Sequence, residues 1–354
     1  MKRSDLDLAF LLRYENVAWY ESGAVKILDR RIYPVRTEYV ICEKHEEVAN
    51  AISDMVTQSG GPYTAAGMGM ALASYEANGL SESEYCAFMK RAAYTLSHAR
   101  PTTVEKMMFV TERALAVAEE GINNGKSGSQ IADLIFENTI QTKNDDYDRT
   151  QTMAEYLFAK IPDNGTVMTQ CFAETIIGML LRVCRKNGKQ IKMICPETRP
   201  YYQGARLTAS VVCDMGFEVT VISDNMPGYV MKEKKVDVFT SAADVITMDG
   251  YIVNKIGTFQ IALAAHYWSV PFYCTGSPNK SHPTIDTVVI EMRDPALVLE
   301  SMGTGHTMQG VKGYYPAFDV TPPKLCAGVV TPKGFYSPYD LPRYFEEGGE
   351  QLAP

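Results

Sequence analysis

The chain has 354 residues, room for two domains, or three small ones, at ~100–200 residues each. Hydrophobic residues at 46% and charged residues at 21% are ordinary globular proportions, which excludes a disordered or collagen-like chain. Lys plus Arg at 34 against Asp plus Glu at 42 leaves a net charge of −8, without the basic field of a nucleic-acid binder.

In chain order, AVKILDRRIYP and TEYVICEK alternate with β-branched and aromatic residues, which predicts a small antiparallel sheet. EEVANAISDMV after His45 has helical spacing and is interrupted at Ser59-Gly60-Gly61-Pro62. TAAGMGMALASYEANG is rich in small residues that let helices pack closely. Residues 81–97 and 101–120 read as two further helices, the second opening on Pro-Thr-Thr after Arg100. The polar run NNGKSGSQ reads as a surface connection, and a helical pattern then leads through QTMAEYLFAKI to Pro162.

After Pro162 the texture changes. The apolar runs TVMTQC, QIKMIC, EVTVISD, VDVFTSA and PFYCTG alternate with helical patterns such as FAETIIGMLLRVCRKNG and IGTFQIALAAHYW. That alternation predicts βαβ units and a parallel sheet covered on both faces. Right-handed crossovers bring the strand carboxyl ends to one edge, where open α/β sheets bind ligands. The residues expected there are Cys171, Glu197 to Arg199, Asp224, Ala243-Asp244 and Thr275-Gly276. We divide the chain into a smaller N-terminal domain of strands and helices, 1–145, and a C-terminal parallel-sheet domain, 146–354.

The eight cysteines are scattered, with no CxxC and no zinc-ligand spacing, which points to a reducing cytoplasm and no metal. Asp5 and Asp7 interrupt the first apolar stretch, so no signal peptide is expected. No apolar run reaches the ~18 residues of a membrane span.

Cys171 ends one predicted strand and opens a helix, whose amino terminus would lower its pKa towards the thiolate range. An arbitrary cysteine is more often a buried core residue, and the ligand-edge placement brings the two readings level. Asp244 ends another strand beside Ser241, Ala242 and Ala243, small residues that admit a ligand; it could cap a helix, bind a hydroxyl or transfer protons. Asp224 faces the same choice with less support. Asn254 and Lys255 precede the helix IGTFQIALAAHYW, whose free amides with a lysine suit phosphate. Arg100, Gln203 and Arg206 also lie near helix starts and could add contacts. No GxGxxG or GxxxxGK[ST] is present, so dinucleotide and P-loop readings lose support.

LDRRIYP, ARPTTV, TQC, TRPYYQGARLT, SAAD, DGYIVNKIGTFQIALAA, VPFY and PAFDVTPP, in that order, resemble the methylthioribose-1-phosphate isomerases. These are related to ribose-1,5-bisphosphate isomerases and to regulatory subunits of the initiation-factor exchange complex. The resemblance implies a Rossmann-like C-terminal domain, a homodimer and a reaction without metal or organic cofactor. It also implies that Cys171 and Asp244 are catalytic, and that Arg100, Gln203, Asn254 and Lys255 contact the substrate. Gly60 and Gly61 stand in the family's Arg-Gly-Ala-Pro loop, where Ser59 takes the place of the arginine. Further departures are Gln170 for a histidine, Phe172 for an asparagine, Ala242 for a glycine and Tyr63 for a small residue. Losing the loop cation could cost ~1.5–3 kcal/mol of charge-assisted bonding.

The expected activity is conversion of an aldose 1-phosphate to a ketose 1-phosphate in methionine salvage. The expected substrate is 5-methylthioribose 1-phosphate or a related 5-deoxypentose 1-phosphate. Asp244 would open the ring and Cys171 would assist transfer between C1 and C2. The alternatives are a ribose-1,5-bisphosphate isomerase and a non-catalytic regulatory subunit sensing sugar phosphates or nucleotides. The expected partner is a small phosphorylated sugar, with neither nucleic acid nor membrane.

Overall fold

Residues 3–100 and 104–350 are described by the computed structural model. The Pro-Thr-Thr segment expected to open a helix after Arg100 lies outside the described residues. The chain divides into two compact units between Asp148 and Arg149.

In the first unit, β1 (Ala18–Glu21), β2 (Ala24–Leu28) and β3 (Tyr39–Cys42) form an antiparallel sheet in the order β1-β2-β3. Helices follow: α1 (His45–Ser53), α2 (Gly61–Glu76), α3 (Glu82–Ser97), α4 (Val104–Asn123) and α5 (Gly128–Phe158), the last running across the division. α2 is buried almost all round. Its small residues let neighbours come close: a Cβ on Gly67 would fall 2.6 Å from the Thr139 methyl of α5.

The second unit is built on a mixed, mainly parallel sheet of seven strands. These are β4 (Thr166–Thr169), β5 (Lys192–Pro196), β6 (Glu218–Ile222), β7 (Val238–Ala242), β10 (Phe272–Thr275), β14 (Gly328–Thr331) and β15 (Gly334–Tyr336). The helices between them are α6 (Glu174–Lys186), α7 (Ala209–Asp214), α8 (Pro227–Glu233) and α9 (Thr258–Tyr267). A π-helical turn, Gly204–Thr208, leads into α7. The short pairs β8 (Val245–Ile246) with β9 (Ile252–Lys255), and β11 (Glu300–Ser301) with β12 (Thr304–Gly305), are antiparallel, as is β13 (Phe318–Thr321) with β9. Helix α10 (Pro342–Glu346) follows β15.

The sheet order is β15-β14-β10-β7-β4-β5-β6, and only β15 is antiparallel to its neighbour. Burial explains the pattern: β4, β5 and β7 are near-continuous buried runs, whereas the edge strand β6 is mostly exposed or half-exposed. Phe239 and Phe272 stack in the core at 4.5 Å between centroids. From β4 the chain moves outward through β5 and β6, then returns to the other side of β4 with β7. That reversal opens a crevice at the carboxyl ends of β4 and β7, which pair in parallel at Thr169 and Thr240.

Candidate active site

Cys171 lies two residues past β4, and Asp244 two past β7, so the two strands flanking the crevice each deliver one of the expected catalytic residues. Cys171 does not open a helix. It sits in the left-handed region (φ +60°), and α6 begins only at Glu174. Its backbone is pinned on both sides. Its N–H donates to Thr198 Oγ1 at 3.2 Å, and Thr208 Oγ1 donates to its carbonyl at 2.5 Å.

The thiol is pushed up to about 11, contrary to the expected fall. Burial is the main cause; Lys255, the Phe172 N–H and Arg293 pull the other way, and the charge of Asp244 adds to the rise. The groups thus share an electrostatic neighbourhood in which the sulfur keeps its proton. Asp244 itself is exposed, and its N–H donates to the Val253 carbonyl at 2.9 Å, tying the β7 end to β9.

At the start of α9 two of the amides meet a carboxylate: the Gly257 N–H donates to Asp319 Oδ2 at 2.7 Å and the Phe259 N–H to Asp319 Oδ1 at 3.1 Å. Burial holds Asp319 up to about 6 against these bonds and against Lys255. Asn254 and Lys255 are buried beside it, because β9 pairs with β13 in register Asn254 to Asp319 and Lys255 to Phe318. Lys255 Nζ lies 4.6 Å from the centre of the Phe318 ring, and Asn254 Nδ2 donates to Thr258 Oγ1 at 3.0 Å.

Gln203 enters the π-helical turn and is buried. Its Oε1 has no hydrogen-bond partner among the described residues, and neither do Gln170 Oε1 and Ser241 Oγ. Unsatisfied buried polar atoms at a strand edge are what a hydroxyl-rich ligand would complete. Gln170 Nε2 donates to the Ile256 carbonyl at 3.0 Å, joining the β4 end to the loop before α9. Arg206 donates to the carbonyl of Tyr201, and Asp224 accepts the N–H groups of Thr198 and Arg199, each at 2.7 Å, which makes it a support of the loop.

Gly60, Gly61 and Arg100 belong to the first unit. A Cβ on Gly61 would meet Thr57 Oγ1 at 1.8 Å, which explains the glycine by close packing. Arg30, fully buried, donates to the Gln58 carbonyl at 2.7 Å and so supports this loop from within. Arg100 is half-buried.

Arg293 was not anticipated. It pairs with Glu291 at 2.9 Å, is largely buried, and lies 5.7 Å from the Tyr201 ring centre and 5.8 Å from that of Phe318. Its charge bears on both Cys171 and Tyr315. Nothing in the local string EMRDP distinguishes it from a solvated loop arginine.

The second unit is thus an α/β unit in which a buried thiol, a carboxylate and the cations Lys255 and Arg293 share one electrostatic neighbourhood. The model of the initiation factor 2 subunit family matches residues 63–338, and the chain belongs to that family. A methylthioribose-1-phosphate isomerase of Acetivibrio thermocellus is 33% identical over 335 residues, covering 91% of this chain and 96% of the relative. The crystal structure of 5-methylthioribose 1-phosphate isomerase from Pyrococcus horikoshii OT3 superposes with a TM-score of 0.82 at 28% identity, covering 94% of this chain and 95% of the other. That of translation initiation factor eIF-2B, subunit delta, from A. fulgidus gives 0.81 at 30% identity, with 94% and 99% covered. Among the described residues no helix is long and apolar enough to cross a membrane.

Proposed function

We propose that this chain is an aldose–ketose isomerase that converts 5-methylthioribose 1-phosphate to 5-methylthioribulose 1-phosphate. The observation that carries the reading is the delivery of Cys171 and Asp244 to one crevice by the adjacent strands β4 and β7, in a chain 33% identical to an isomerase of that name. An anomeric phosphate locks the sugar as a ring, so two tasks arise. Asp244 hands a proton to the ring oxygen as the C1–O bond opens, and Cys171 assists transfer between C2 and C1. Lys255 supplies charge for the phosphate; Gln203 and Asn254 hold hydroxyls. We read the second unit as Rossmann-like, with the N-terminal domain as 1–145, and the protein as a cytoplasmic homodimer working without cofactor.

The protonated state of Cys171 bears on how transfer occurs. With the thiol at about 11, forming a thiolate at pH 7 costs about 5 kcal/mol. A hydride passing directly from C2 to C1, while the C2 hydroxyl gives its proton to the Asp244 carboxylate left by ring opening, avoids that cost and leaves Cys171 as a neutral neighbour of the reacting carbons. The likeness to the A. fulgidus subunit favours a second reading, a non-catalytic sensor, which has no need of both Cys171 and Asp244. A panel of pentose 1-phosphates differing at C5, followed by phosphorus NMR, separates the cases. We expect ketose product from the 5-methylthio sugar; turnover of ribose 1,5-bisphosphate alone would reassign the substrate, and binding without turnover would favour the sensor.

A further inference from the structure

The first unit holds a cleft that the isomerase reading does not use. It is a small cleft of about 30 Å³ that opens to solvent, lined by residues of α2, α4 and α5, among them Tyr63, Arg113, Asn138, Lys143 and Asp146. Lys143 is only 8% exposed. A lysine so buried is nearly always paired, yet among the described residues it meets no carboxylate or hydrogen-bond acceptor. Its ammonium lies 4.8 Å from the centre of the Tyr147 ring. Arg113, exposed, lies 5.7 Å from that of Phe109.

Two cations therefore line one cleft together with an amide and a phenol, both able to donate. Thr139 and Thr142 are turned to their own helix, donating to the carbonyls of Ile135 and Asn138 at 2.8 and 3.0 Å. Asp146, exposed, is the single carboxylate in the lining, so the lining keeps a net positive charge among the described residues.

We propose that this cleft binds a small multivalent oxyanion, of the class of phosphate esters or pyrophosphate, with Lys143 as its buried counter-charge and Arg113, Asn138 and Tyr63 as further donors. Its lining lies within the first unit, whereas Cys171, Asp244 and Lys255 lie in the second. Calorimetric titration of the full chain with pyrophosphate tests it, comparing wild type with Lys143→Met, Lys143→Arg, Arg113→Gln and Lys255→Met. The expected result is a binding component that Lys143→Met weakens at least tenfold, that Lys143→Arg largely keeps, and that persists in Lys255→Met. Should Lys143→Met fail to fold, Arg113→Gln carries the test, with a loss of several-fold. Absence of binding by wild type, or a component that only Lys255→Met removes, overturns the assignment.

Discussion

Cys171 should behave as one of the least acidic thiols accessible to a reagent in this protein. Its shift from 9.0 to about 11 is two units, or about 3 kcal/mol at ~1.4 kcal/mol per unit. The sign follows from which form the fold prefers. The native state holds the proton more tightly than the unfolded chain, so the contribution is complete below pH 9 and is lost as pH rises through about 11. Pulsed alkylation with iodoacetamide, read by mass spectrometry of the peptide containing Cys171, should give a rate that climbs about tenfold per pH unit and reaches no plateau below pH 10. Exposed Cys213 provides the internal comparison. Replacing Lys255 by Met removes the leading downward influence and should move the curve higher still. A plateau at or below pH 9 would refute the argument that burial dominates.

Two structural predictions accompany it. Asp319→Ala removes the charged acceptor of the Gly257 and Phe259 amides, each bond worth ~1.5–3 kcal/mol; since burial of the carboxylate offsets part, we expect a loss of about 2–3 kcal/mol in denaturant melts, and an unchanged midpoint would show the cap to be dispensable. Gly257→Ala places a Cβ 2.8 Å from Gln170 Nε2 at φ +104°, and should cost ~1–3 kcal/mol, with a melting temperature equal to wild type as the contrary result.

The parallel core was legible at β4, β5 and β6, where a short apolar run is followed by a helical segment. β14 and β15 escaped notice: Gly328–Thr331 and Gly334–Tyr336 are brief and joined by a tight turn, with no helix between them. The site was legible where strand ends alone determine position, as at Cys171 and Asp244. It was not where a distant segment intervenes. Asp319 caps a helix whose first amide lies 62 residues before it, so the start of α9 reads as an open anion site until the two strands are paired. The direction of the Cys171 shift was likewise hidden, because burial by distant segments sets it and outweighs the opposing charges of Lys255 and Arg293.

The central claim is that Cys171 and Asp244 together carry an aldose–ketose isomerisation. Phosphorus NMR of 5-methylthioribose 1-phosphate incubated with wild type, Cys171→Ala and Asp244→Asn measures it most directly. The account predicts conversion to the ketose 1-phosphate by wild type and a loss of at least 1,000-fold in each variant (~4 kcal/mol of transition-state stabilisation), with circular dichroism unchanged. Full turnover by both folded variants would contradict it.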